Sequence, residues 1–209
     1  MTLIGAAPVS EAVFRESFAL SEMLVAADGG ADAALRLGGL PDAVIGDLDS
    51  LGSEPRTQIP ADRLHRIAEQ DSTDFDKALR SIAAPLVLAV GFTGARLDHE
   101  LAVWNTLARR ATQMAIVVGE HDICFQCPAQ LRLDLAAGTR LSLFPMRAVA
   151  GRSDGLRWPI DGIEFAPWGR VGTSNEALGP VTLTMAGPGM LVVLPRTALT
   201  VAVQALRPA

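Results

Sequence analysis

The chain has 209 residues, 49% hydrophobic and 20% charged, which points to a soluble globular protein with one large domain or two small ones. Its net charge of −5 is uneven: residues 1–122 hold 18 acids against 10 Lys and Arg, residues 123–209 hold 5 against 8, and such a balance argues against a nucleic-acid surface. No apolar stretch approaches the roughly 18 residues that span a bilayer, and Met1-Thr2-Leu3-Ile4 lacks the basic start and long apolar region of a signal peptide, so no membrane partner and a cytoplasmic location are expected.

In chain order, residues 23–27, 43–45, 86–90 and 114–118 are short apolar runs of the kind that form buried parallel strands. Between them, residues 31–37 read as a helix stopped by Gly38-Gly39, residues 74–83 as a second and residues 98–111 as a longer third. This alternation predicts a doubly wound, mostly parallel α/β domain over 1–122. Ligands bind at the carboxyl ends of such strands, where Asp28, Asp47 and Gly91 fall. Beyond residue 122 the period shortens to two, as in residues 131–135 and 140–144. With 181–184, 191–194 and 199–203 these segments predict a C-terminal antiparallel β-sandwich over 123–209. Cys124 and Cys127 form a lone Cys-x-x-Cys with no second pair, and read as two reduced thiols.

The chemistry concentrates in the first half. Gly46-Asp47-Leu48-Asp49-Ser50 follows the apolar run 43–45, and two carboxylates at i, i+2 repel unless a cation neutralises them. Phosphate-bound Mg²⁺ suits such hard ligands, although Asp-x-Asp-Ser also describes an ordinary polar turn. Asp28 precedes Gly29-Gly30, where the backbone can approach a ligand closely, or it caps a helix. Thr73-Asp74-Phe75-Asp76 fits a capped helix start with Phe75, Leu79 and Ile82 as its buried stripe; Asp74 is a first-turn acid or a metal ligand. Lys77, the one lysine of the chain, meets a surface acid or a phosphate. Gly91-Phe92-Thr93-Gly94-Ala95-Arg96 joins a strand to a helix, a setting in which backbone N–H groups hold phosphate and Arg96 adds a forked donor. Asp98 opens that helix, and His99 reads as a surface or packing residue.

Four segments then combine: Ala27-Asp28-Gly29-Gly30-Ala31, the run Pro41 to Ser50, Gln70-Asp71-Ser72-Thr73-Asp74-Phe75-Asp76-Lys77, and Gly91 to His99. Their order and wording resemble thiamine pyrophosphokinase, and the resemblance continues through Gly155-Leu156-Arg157-Trp158-Pro159 and Gly172-Thr173-Ser174-Asn175-Glu176, covering nearly the whole chain. It implies transfer of the terminal diphosphate of ATP to the hydroxyethyl oxygen of thiamine, giving thiamine diphosphate and AMP. It implies an α/β nucleotide-binding domain followed by a β-sandwich, in a homodimer whose thiamine sites lie between the α/β domain of one subunit and the sandwich of the other.

Carried over residue by residue, the resemblance makes Asp47, Asp49 and Asp74 the Mg²⁺ ligands and adds Arg96 and Asp98 to the active site. Asp28, Gly29, Lys77 and Gly94 fall to the nucleotide, and Gln70 and Asp71 lie near nucleotide and thiamine. Ser174 and Asn175 match the thiamine-contacting pair, although Thr173-Ser174-Asn175 also reads as a turn. Trp158 and Trp168 either pack in the sandwich or stack on the cationic thiazolium. Asp71 or Asp98 takes the hydroxyl proton. The family usually has Gly-Gly-Arg where this chain has Gly94-Ala95-Arg96, so the loop is expected to sit slightly differently. The alternatives are a diphosphokinase for a hydroxymethyl pterin and a non-enzymatic sensor of thiamine or nucleotide.

Overall fold

The computed structural model describes residues 1–69, 71–110 and 112–207, which divide into two compact units. The first comprises residues 1–106 and 117–120, the second 107–116 and 121–209.

In the first unit, β1 (Thr2–Ile4), β2 (Leu24–Ala27), β3 (Ala43–Gly46), β4 (Leu64–Arg66) and β5 (Val87–Val90) form a parallel sheet in the order β5-β1-β2-β3-β4. The residues of β1, β2 and β5 are buried throughout, as expected of strands covered on both faces, and this explains their unbroken apolar sequences. The connecting helices are α1 (Glu11–Ala19), α2 (Gly30–Arg36), α3 (Ser53–Gln58) and α4 (Asp74–Ser81), followed by α5 (Leu97–Arg109) and β6 (Ala115–Val118), in both of which the boundary between units falls. Helix α4 forms for the reasons its sequence suggests: the Thr73 hydroxyl accepts from the Asp76 N–H, and Phe75, Ala78 and Leu79 are buried.

The second unit is antiparallel. Strand β7 (Asp122–Gln126) pairs with β13 (Met190–Pro195), which pairs with β9 (Arg140–Pro145), which pairs with the first half of the long β12 (Gly172–Met185). The second half of β12 pairs with β8 (Gln130–Leu133) on one side, and β10 (Val149–Leu156) with the short β11 (Glu164–Phe165) extends the other side. Burial alternates along β8 and much of β12, the signature of sheets with one covered face.

One predicted strand is corrected: residues 199–203 lie in a helix, α6 (Leu199–Leu206). Thr200, Val201 and Val203 favour strands intrinsically, but the buried residues are Leu199, Ala202, Val203 and Leu206, which is helical spacing. Packing of that stripe, with contacts to β8, overrides propensity. Cys124 and Cys127 are free and buried, and burial pushes both thiols up to about 12, so both stay protonated at neutral pH.

Candidate active site

Strands β2 and β3 run side by side, with Ala27 opposite Ile45, so the residues that follow them, Asp28 and Asp47, emerge at the same sheet end. The Asp28 N–H still donates to Ile45 O at 2.9 Å. A Cβ at position 46 would lie 2.7 Å from the Asp28 Cβ, so Gly46 is what lets the two segments approach. Asp28 is 3% exposed, and its Oδ1 is buried without a hydrogen-bond partner. It does not cap α2: the cap position is Gly29, and no side chain bonds there.

The loop after β3 is held in an unusual conformation. Leu48 has φ +65°, and the Asp49 N–H donates to Asp47 Oδ1 at 3.1 Å. Arg56 donates to Leu48 O and, at 3.3 Å, to Leu51 O, while Arg66 donates to Asp47 O at 3.3 Å. Among the described residues, the non-glycines with left-handed φ are Asp28, Leu48 and Ser174. All three fall within segments that the sequence marks as functional, which is where backbone strain concentrates.

From α4, Lys77 reaches the same place. Its side chain is 3% exposed, and Nζ lies 3.5 Å from Asp47 Oδ2 and 3.5 Å from Asp74 Oδ1. Burial raises the Asp74 carboxyl above its usual range, the Lys77 charge opposes this, and the charges of Asp28 and Asp47 add to the rise. Asp74 therefore feels the charges of both Asp28 and Asp47. Asp49 is exposed beside them. Among the described residues, no three His, Cys, Asp or Glu side chains converge on one metal position; the cation between Asp47 and Asp74 is Lys77. The residue types nevertheless fit a hard divalent ion, since all are carboxylates and one buried oxygen lacks a partner.

Asp71 is exposed, and its backbone is tied to Glu69, which accepts from the Asp71 N–H at 2.9 Å, from Arg80 at 2.6 Å and from the Ser72 hydroxyl. The Ser72 bond is the main cause that holds the Glu69 carboxyl below its usual range. Gln70 lies outside the described residues. A cleft of about 250 Å³ is lined by Thr73, Asp74, Phe92, Ala95, Arg96 and His99, among others. Arg96 and Asp98 form a forked pair, with bonds of 3.2 and 2.6 Å. That pairing with Arg96 holds Asp98 below the usual carboxylate range. Asp98 sits within the first turn of α5, one residue past its start. The Gly94 N–H, at φ +78°, donates to Glu100 Oε2 at 3.0 Å, so a carboxylate already occupies an amide of the loop predicted to receive phosphate.

In the second unit, Trp158, Ser174 and Asn175 line one cavity of about 530 Å³, together with Phe165 and Arg170. Neither predicted tryptophan is core: Trp158 is 54% exposed and Trp168, outside that lining, 81%. The Arg157 guanidinium lies 5.1 Å from the Trp158 ring centroid and pairs with Glu176 at 3.4 Å. Thr173-Ser174-Asn175 is strand rather than turn, with a register shift in the pairing between Gly172 and Asn175. Both ends of the Asn175 amide bond to backbone: its oxygen accepts from the Trp158 N–H at 3.2 Å and the Glu176 N–H at 2.9 Å, and its nitrogen donates to Trp158 O at 2.7 Å.

Sequence reasoning missed Glu69, Arg56, Arg66 and Glu100, each of which fixes a loop backbone. Only Glu100, at helical spacing from Arg96, carries a local sequence cue.

Comparison with known proteins completes the description. The chain is 25% identical to thiamine pyrophosphokinase 1 of Oryza sativa subsp. japonica over 154 residues, 65% of this chain. It is 29% identical to thiamine pyrophosphokinase 3 of the same plant over 170 residues, 69% of this chain. The chain spans 58% and 62% of the length of those relatives. Its fold resembles the crystal structure of thiamin pyrophosphokinase from Geobacillus thermodenitrificans, with a TM-score of 0.76, 23% identity and coverage of 93% of this chain and 95% of that one. Residues 14–118, half of the chain and the stretch that holds Asp28, Asp47, Asp74 and Lys77, match the family described as thiamin pyrophosphokinase, catalytic domain, and the chain belongs to that family.

Proposed function

We propose that this protein transfers the terminal diphosphate of ATP to the hydroxyethyl oxygen of thiamine, giving thiamine diphosphate and AMP. The observation that carries the reading is the meeting of Asp47, Asp74 and Lys77, with the charge of the buried Asp28, whose Oδ1 has no partner, reaching Asp74, within the stretch that matches the family. Asp47, Asp49 and Asp74 would hold Mg²⁺, which when bound supplies positive charge to the diphosphate oxygens. The chain's own contribution is orientation and charge. The Gly94 N–H and the Arg96 fork are donors for phosphate oxygens once Glu100 and Asp98 release them. Gly29 allows close approach to the nucleotide beside Asp28. The exposed Asp98, once it has released Arg96, and the exposed Asp71 are the candidate acceptors for the thiamine hydroxyl proton.

Thiamine recognition falls to Ser174, Asn175 and Trp158, with Trp168 as a further aromatic surface and Gln70 and Asp71 as polar groups for nucleotide and thiamine. Because the Asn175 amide bonds at both ends to the Trp158 and Glu176 backbone, it acts by presenting Trp158 to the cavity. Residues 1–122 would form the nucleotide domain and 123–209 the thiamine domain, in a cytoplasmic homodimer with thiamine held between subunits. Among the described residues no helix is long and apolar enough to cross a membrane.

Incubation of the purified protein with ATP, Mg²⁺ and thiamine, followed by chromatography, tests the reading. AMP and thiamine diphosphate in equal amounts support it; ADP with thiamine monophosphate, or no thiamine product, overturns it. Asp47→Asn should lower turnover by at least about a hundredfold with the fold retained, as expected for loss of charge stabilisation at transferring phosphates.

A further inference from the structure

An ammonium group whose side chain is 3% exposed survives burial only with charged partners, and Lys77 has two, each 3.5 Å away, contributed by different elements: Asp47 from the end of β3 and Asp74 from its own helix. Asp28 adds a third carboxylate, 3% exposed, with Oδ1 unpartnered. Asp47 and Asp74 share this one ammonium, and the charge of Asp28 also reaches Asp74. Lys77 therefore stands where a divalent cation shared by Asp47 and Asp74 would draw on the same oxygens.

We propose that Lys77 is a positioning residue that competes with the metal for Asp47 and Asp74, keeping the acids in place when no metal is bound and making the site a poor ligand for a bare divalent cation. Capture of the metal then depends on the phosphate oxygens that arrive with it, since only the nucleotide adds enough negative charge to outbid the ammonium. The helix geometry supports this role. Asp74 and Lys77 lie one turn apart on α4, whose first turn Thr73 caps and whose buried Phe75 and Leu79 anchor it, so the ammonium cannot withdraw far from the acids.

The inference rests on the metal assignment proposed above, and its test separates the two. Mn²⁺ alone is titrated into the purified protein by calorimetry and by electron paramagnetic resonance of free Mn²⁺. Lys77→Met should bind Mn²⁺ about tenfold more tightly than the parent protein, a difference of about 1.4 kcal/mol. Lys77→Arg, which keeps a cation on the helix, should bind as the parent does. If Lys77→Met unfolds in chelator, millimolar Mn²⁺ must refold it, because the metal then supplies the missing charge; failure to refold overturns the inference. Unchanged or weaker Mn²⁺ binding by Lys77→Met, while Asp47→Asn abolishes binding, overturns the role of Lys77 and leaves the metal assignment standing. Unchanged Mn²⁺ binding by Asp47→Asn overturns the metal assignment and the inference with it.

Discussion

Asn175 offers a direct test of how the second unit holds its exposed tryptophan. Its side chain belongs to a residue only 8% exposed, and it makes three hydrogen bonds, all to the backbone: two accepted, from Trp158 and Glu176, and one donated, to Trp158 O. Each such bond contributes about 1 kcal/mol net, but the Trp158 segment lies at the surface, where water replaces part of the loss. Asn175→Ala should therefore destabilise the fold by about 2 kcal/mol, which for a chain of this size lowers the melting temperature by roughly 4–8 °C. Asn175→Asp keeps both accepted bonds, loses the donated one and sets a carboxylate against Trp158 O, so it should cost at least as much. Calorimetry supplies the melting temperatures. The indole emission of Trp158, isolated by Trp104→Phe and Trp168→Phe, reports whether the ring leaves the Arg157 guanidinium, now 5.1 Å from its centroid. Melting temperatures within 1 °C of the parent for both Asn175 variants, with unchanged emission, would refute the clamp.

Other consequences follow from the first unit. Thr73→Ala removes the cap of α4, and because that bond is long, 3.4 Å, the loss should fall near the low end of cap values, about 0.5–1 kcal/mol by chemical denaturation. Asp74 titrates higher in the folded chain than unfolded, so its ionisation costs stability, and that cost sets in as pH rises from the unfolded value through the folded one. Asp74→Asn should remove this pH-dependent cost, so that the metal-free melting temperature changes less between acid and pH 7 than the parent's does, while the stabilisation conferred by added Mn²⁺ disappears. Arg96 and Asp98 are both exposed, so Arg96→Ala should leave the melting temperature within a degree of the parent yet raise the KM for ATP about tenfold in steady-state assays.

In the parallel half, β2, β3, β5 and helices α2, α4 and α5 were legible, because those strands are largely buried and those helices carry local signals, whereas the short β1, the mostly exposed β4 and helices α1 and α3 were not read from the sequence. The stripe of Phe75 and Leu79 and the Thr73 cap can be read from spacing alone, and both are present in α4. Residues 199–203 show the opposite case. Their β-branched composition suits a strand, and only the stripe of Leu199, Ala202, Val203 and Leu206, which continues past the segment, reveals a helix. The acids of the site were legible because paired carboxylates at a strand end demand a cation. What they do in the absence of one was not: that Lys77 is that cation depends on how β3 and α4 pack. The same limit applies to Asn175, whose partner lies 17 residues away on the chain, and to Arg66, 19 residues from the carbonyl it holds. Such pairings are settled by register and loop geometry, which no short-range pattern encodes.

Labelled ATP tests the central claim most directly. Two preparations, one carrying ³²P in the β-phosphate and one in the γ-phosphate, are turned over separately with thiamine and Mg²⁺, and thiamine products are separated from nucleotides. Transfer of an intact diphosphate predicts that both labels reach the thiamine product and that the AMP formed carries neither. Label from the γ-phosphate alone, accompanied by ADP, would contradict diphosphoryl transfer, and label in neither case would contradict thiamine as the acceptor.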